Sequence, residues 1–262
     1  MYSPMMCPSS NMEEGGRGIL AREDVRALLQ HLESRSRAYI AFFAIGFVAG
    51  YPAAEAAIEW LLDSEGFVPE GVEVIILQPL EVILLQLRIA AQMGFGLLVL
   101  AMVLDLSWNG RSLVPRNAIV TSNKPGLGKA ALILISMLAL GGVGLVYAHE
   151  VLIPFLLQYL SEDAAASGLK STWQLQTWVG FVSGLYFSSF IGFQVPVVVV
   201  ALLRAGLIER ESVIENRGVL WFAALFIGAL ISPPDPVSLF LVGGPMLVLL
   251  EMALIFDRAF GE

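Results

Sequence analysis

The sequence has one cysteine, Cys7, and two histidines, His31 and His149. A lone cysteine excludes an internal disulfide and any multi-cysteine metal or iron–sulfur site. Two histidines so far apart point to no metal centre. Charge is also scarce: charged residues make up 15% of the 262 positions, against about 25% in an ordinary soluble domain. The net charge of −8 and pI near 4.8 disfavour nucleic-acid binding. Residues 1–38 lack an apolar core of signal-peptide type. No Walker loop or nucleotide fingerprint is present. Lys124-Pro125-Gly126-Leu127-Gly128-Lys129 has the wrong spacing for a phosphate loop, and no strand precedes it. The apolar stretches also lack the polar alternation that membrane β-barrel strands require.

What the chain has in abundance is apolar residues, 57% of the total, with a mean hydropathy of +0.76. They fall in long runs: Tyr39–Leu62, Ile83–Leu106, Ala130–Tyr147 (open to extension past Pro154), Thr177–Leu203, Val219–Ile231 and Val237–Phe256. A helix needs about 20 such residues to cross a bilayer. The pattern predicts an all-α polytopic membrane protein with six transmembrane helices, the fifth shorter than a comfortable span. Three regions follow: a cytoplasmic segment 1–38, a membrane domain 39–256 and a tail 257–262. Val25, Leu28, Leu29 and Leu32 predict a short amphipathic surface helix in the first. Ser107–Lys129 and Ser161–Gln176 read as loops.

Orientation follows from the basic residues. Thirteen of the 15 lysines and arginines lie in the N-terminal segment, the second and fourth loops and the tail, the alternate loops hold Lys170, and Arg88 lies inside the second run. This bias places both termini in the cytoplasm of a multi-pass plasma-membrane protein.

The last third carries the most distinctive pattern: Gly192-Phe193-Gln194-Val195-Pro196-Val197, Gly206-Leu207-Ile208, Arg217, Ser232-Pro233-Pro234-Asp235-Pro236-Val237-Ser238, Pro245 and Glu251. Together with His31-Leu32-Glu33-Ser34-Arg35-Ser36-Arg37 before the first run, it resembles the twin-arginine translocase subunit TatC. The resemblance implies a concave six-helix bundle with both ends cytoplasmic. It also implies export of folded proteins driven by proton-motive force. The implied partners are twin-arginine signal peptides and TatA-type single-span subunits, within membrane lipid. No chemistry on the substrate is implied. The spans offer no Ser/His, paired-Asp or His-rich constellation, so no catalytic residue, metal or cofactor is expected.

The resemblance carries a signal-peptide role onto Glu33, because guanidinium pairs with carboxylate through two parallel hydrogen bonds. The competing account is a local pair with Arg37, worth only about 0.3–0.5 kcal/mol. Arg35 and Arg37 read as topology anchors, or as groups that shape Glu33. The family's second recognition acid is missing, since Ser107–Lys129 contains no Asp or Glu. Asp105 substitutes if it faces the cytoplasm. Otherwise the subunit binds signal peptides poorly or shares its site with a second TatC-like copy.

Gln194 stands where the family usually has an intramembrane glutamate. It reads as a partner-facing polar group or as a helix–helix hydrogen bond of about 0.6 kcal/mol, with Pro196 loosening the helix beside it. Arg88 either snorkels to an interface or lines a wet groove with Gln92 and Gln194. Glu251 is either a groove residue or lies at the cytoplasmic face near Arg258. Pro233, Pro234, Asp235 and Ser238 form a rigid turn with a helix cap. Trp173, Trp178, Trp221 and Tyr159 are placed like an interfacial belt. Two other functions compete: a degenerate TatC paralogue with a structural role in a mixed complex, and a secondary transporter for a small solute. The latter finds no internal repeat to support it.

Overall fold

A computed structural model describes residues 22–64, 67–68, 72–109, 127–168, 172–205, 210–231 and 236–260. Helix α1 runs unbroken from Arg22 to Asp63, 42 residues or about 63 Å. The expected amphipathic helix is therefore not a separate surface element. No glycine or proline falls between residues 19 and 45, so nothing interrupts the helix as it passes into the apolar run. Strand β1 (Glu73–Ile75) and helix α2 (Glu81–Asn109) follow. Helices α1 and α2 form an antiparallel hairpin packed through small residues. A Cβ on Gly94 would stand 2.8 Å from the Phe43 carbonyl oxygen, and one on Gly46 would stand 2.9 Å from the Gly94 Cα. The two backbones approach this closely only because no side chain intervenes.

Helix α3 (Leu127–Tyr147) continues through a π-helical turn, Ala148–Leu152, into α4 (Ile153–Ala166). The expected loop from Ser161 is thus helical as far as Ala166. Pro154 is tolerated because it sits at the start of α4, where a missing N–H costs little. Strand β2 (Thr172–Gln174) pairs in parallel with β1, Val74 opposite Trp173. Sequence periodicity gave no sign of this pair.

Helix α5 (Leu175–Gly192) and α6 (Val195–Ala205) are one apolar run broken at Phe193-Gln194. Pro196 has no N–H to give the Gly192 carbonyl. The chain tightens there, with Gln194 N–H bonding the Ile191 carbonyl at 3.0 Å, and the helix resumes with Val198 N–H on the Gln194 carbonyl. The reading of 177–203 as one run loosened at Pro196 gives way to two helices with a tightened turn at Phe193-Gln194 between them. Helices α7 (Arg210–Glu215), α8 (Arg217–Ile231) and α9 (Pro236–Phe260) complete the order.

Four helical stretches among the described residues are long and apolar enough to cross a membrane: Leu29–Asp63, Glu81–Asn109, Ala131–Ala166 and Leu175–Leu203. Helix α8 has 15 residues and rises only about 22 Å, in line with the short fifth run. Large apolar side chains face outward, Val48 at 70% exposure and Phe222 at 69%, as suits a lipid solvent. The densest core lies where α5 begins, with Leu85, Leu152, Leu156, Val179 and Val182 almost without accessible surface.

Candidate functional site

Where α1 begins and α2 ends, Asp105 gathers a cluster of polar groups. The Tyr39 hydroxyl donates to Oδ2 at 2.7 Å, and His31 Nε2 lies 2.6 Å from the same oxygen. Asn109 Nδ2 donates to Oδ1 at 2.8 Å, and Arg35 Nη1 stands 3.6 Å from it. Residues 31, 35 and 39 recur every four positions and so share the α1 face turned to α2. Asp105 is held by its own chain, at 14% side-chain exposure.

Glu33 lies two residues from both His31 and Arg35, about 200° around the helix from each, and it is exposed. It makes no ion pair with Arg37 among the described residues. Glu33 and Asp105 therefore do not form one acidic surface. Sequence reading missed His31 and Tyr39, whose spacing at i and i+8 about Arg35 was the available signal.

The residues expected to share a wet groove are separated. Gln92 lines a cavity of about 550 Å³ between α1, α2 and α5. Its walls are mostly apolar, including Ile45, Ala49, Leu97, Phe187 and Phe190, and neither Arg88 nor Gln194 lines it. Arg88 lies over Gly180 and Gly184 of α5, where a Cβ on Gly180 would overlap its Nη1. Gln194 is 1% exposed. Its Nε2 donates to the Met137 carbonyl at 3.1 Å and reaches the Phe190 carbonyl at 3.4 Å, and its Oε1 has no partner among the described residues. This is the helix–helix hydrogen bond of the two readings. Gln194, beside the break at Phe193-Gln194, spends its amide on the α3 backbone and does not reach the cavity.

Glu251 pairs across α8 and α9 with Arg217, whose Nη2 lies 3.2 and 3.3 Å from the two carboxylate oxygens, and it accepts from Trp221 Nε1 at 3.1 Å. Trp178 is not a belt residue. It packs in the core at 3% exposure because its face of α5 meets the buried cluster. Pro233, Pro234 and Asp235 lie outside the described residues, and Ser238 falls in the first turn of α9.

Two further groupings escaped the sequence reading. Glu81, without accessible surface, accepts on Oε1 from the N–H groups of Leu77 and Gln78 at 3.0 and 2.8 Å and from Gln174 Nε2 at 2.8 Å. It ties the start of α2 to β2. His149, in the π-helical turn, has Nδ1 2.8 Å from the Tyr186 hydroxyl and rings of Trp60 and Phe67 within 6 Å, at 5.7 and 5.3 Å. Among the described residues, no group of acids, histidines or cysteines is arranged to hold a metal.

Comparison with known proteins places this architecture. The chain is 24% identical over 261 residues to the Sec-independent protein translocase protein TatCt of Haloferax volcanii, covering 95% of this chain and 35% of that protein. It is 29% identical over 126 residues to TatC of Escherichia coli, 48% of each chain. It is 26% identical over 231 residues to TatC of Synechocystis, 84% of each. The chain thus spans about a third to a half of the length of the first two relatives and most of the third. A crystal structure of the twin arginine translocase receptor TatC superposes with a TM-score of 0.68, at 22% identity, over 90% of this chain and all of that one. Residues 27–245 match the family described as Sec-independent protein translocase protein (TatC), and the chain belongs to that family.

Proposed function

We propose that the chain is the membrane-embedded receptor subunit of a twin-arginine translocation system. In this reading it has six spans in the plasma membrane and both termini in the cytoplasm. It recognises twin-arginine signal peptides and serves as the assembly platform for TatA-type subunits during proton-motive-force-driven export of folded proteins. It performs no enzymatic reaction.

One observation carries this reading. Glu33 is exposed and makes no ion pair among the described residues, on a helix that Asp105 fastens to α2. A carboxylate on a tethered helix suits capture of a guanidinium pair, because it can form two charge-assisted hydrogen bonds without first giving up a local partner. Arg35 is engaged by Asp105, which draws its charge away from the peptide's own arginines. The test is capture of a twin-arginine signal peptide and its two-lysine variant by the purified chain. Selective capture of the arginine peptide, lost in Glu33→Gln, is the expected result. Equal capture of both peptides overturns the reading.

A second reading rests on Asp105. Its capture by the chain's own donors leaves one available acid where the family pattern has two, which favours a subunit that shares its site with a second TatC-like copy. Capture that appears only when such a copy is co-expressed would select this reading over the first.

A further inference from the structure

Arg88 is the eighth residue of α2 and makes no hydrogen bond or ion pair among the described residues. A 29-residue helix is about 43 Å long, so a bilayer core of about 30 Å leaves about 7 Å beyond each face. Arg88 lies about 10 Å from the start of the helix. With α2 centred in the bilayer, its guanidinium lies just inside the hydrocarbon edge, within snorkelling reach of a headgroup. A charge at that depth without a counter-ion is costly unless a partner comes from outside the chain.

The surroundings give that partner a shape. Gly180 and Gly184 leave the space in which the guanidinium lies. One turn along each helix, Gln92 and Ser183 line the head of the apolar cavity, and Leu97, Leu100 and Phe190 line its further walls. From Ile89 to Leu100 the cavity follows α2 for about 17 Å, close to the depth of one leaflet of a 30 Å core. Its volume of about 550 Å³ suits a flexible chain, and its walls offer few polar groups to orient anything else.

We propose that the α2–α5 seam is a binding site for one anionic phospholipid. Its phosphate sits on Arg88, and an acyl chain runs along α2 into the cavity. Arginine matches phosphate oxygens with two parallel charge-assisted hydrogen bonds, and the chain carries a net charge of −8, so an anion is drawn to this place by local charge alone. The site is separate from Glu33 and from peptide recognition.

The full chain, purified in detergent, would be titrated with short-chain phosphatidylglycerol and with phosphatidylcholine, and adducts counted by native mass spectrometry. Phosphatidylglycerol should bind at a stoichiometry of one, at least about tenfold more tightly to the wild type than to Arg88→Gln. Arg88→Lys, a point charge without the two-pronged match, should bind more weakly than the wild type but more tightly than Arg88→Gln. Ala49→Phe keeps Arg88 and fills the cavity, and it should also lose the lipid, which guards against an Arg88→Gln variant that fails to fold. Glycerophosphoglycerol, the headgroup without chains, should not bind. Equal binding of both lipids, or phosphatidylglycerol binding unchanged in Arg88→Gln and Ala49→Phe, would overturn the assignment. So would binding of an apolar helical peptide bearing one glutamate in place of the lipid.

Discussion

The Tyr39 hydroxyl donates to Asp105 Oδ2 at 2.7 Å, across 66 positions of sequence. With His31 on the same oxygen, it fastens the first turns of a 42-residue helix to the end of α2. Without such a tie, the segment of α1 beyond the hairpin packing would have little to hold its direction. Asp105→Ala strands the hydroxyl and takes an acceptor away from His31. It should cost about 1–3 kcal/mol in thermal unfolding, and Tyr39→Phe about 0.5–1.5 kcal/mol. Limited trypsin cleavage at Arg35 and Arg37 should speed up in Asp105→Ala. Cleavage at the wild-type rate would mean that the clasp does not hold the helix.

Glu81 makes a different kind of tie. Its Oε1 collects two backbone N–H groups from the turn before α2 and the Gln174 amide of β2. The Leu77 and Gln78 N–H groups lie in the turn before α2, outside any helical ladder, and a buried donor left unpaired is expensive. Glu81→Gln keeps an acceptor oxygen and should be the milder change. Glu81→Ala removes it, so hydrogen exchange of the Leu77 and Gln78 amides and of β1 should accelerate together. Faster exchange in β1 without a change at Leu77 and Gln78 would separate the sheet from this carboxylate.

These two ties mark what the sequence could reveal. The apolar runs placed α2 within a few residues of its ends, because a membrane span is a long continuous signal. Pro196 was legible as a disturbance of its helix because proline lacks a donor wherever it stands, but the division of the run at Phe193-Gln194 was not. The β1–β2 pair was not, since three-residue strands carry no periodicity and their partners are almost a hundred positions apart. Asp105 was visible as an acid near a loop, but its engagement by His31 and Tyr39 depends on the antiparallel register of α1 and α2. Glu33, read from a short motif, kept its exposure; Gln194, read from the same family pattern, proved to face α3.

Gln194 leads to a third prediction. Its amide reaches α3 through one hydrogen bond of ordinary length, while Oε1 is buried without a partner among the described residues. A helix–helix hydrogen bond in a membrane contributes about 0.6 kcal/mol, and an orphaned buried acceptor opposes it. Gln194→Leu should therefore shift stability by less than about 1 kcal/mol. If thermal unfolding shows no change and assembly with TatA-type subunits fails, the amide serves a partner helix. If assembly is intact, it serves only α3.

The α1–α2 seam gives the sharpest contrast between two glycines. A Cβ at Gly94 meets the Phe43 carbonyl oxygen at 2.8 Å and the Phe43 ring at 3.0 Å, whereas one at Gly142 meets nothing within 4 Å. Backbone cannot rotate aside as a side-chain tip can, so Gly94→Ala must push the two helices apart, at a cost of about 1–3 kcal/mol. Gly142→Ala adds no contact and removes the flexibility of a mid-helix glycine. It should stabilise by about 0.5–1 kcal/mol. Measured side by side in one detergent, the two alanines should move the unfolding midpoint in opposite directions. A Gly94→Ala variant as stable as the wild type would show that the hairpin does not depend on the close approach of its backbones.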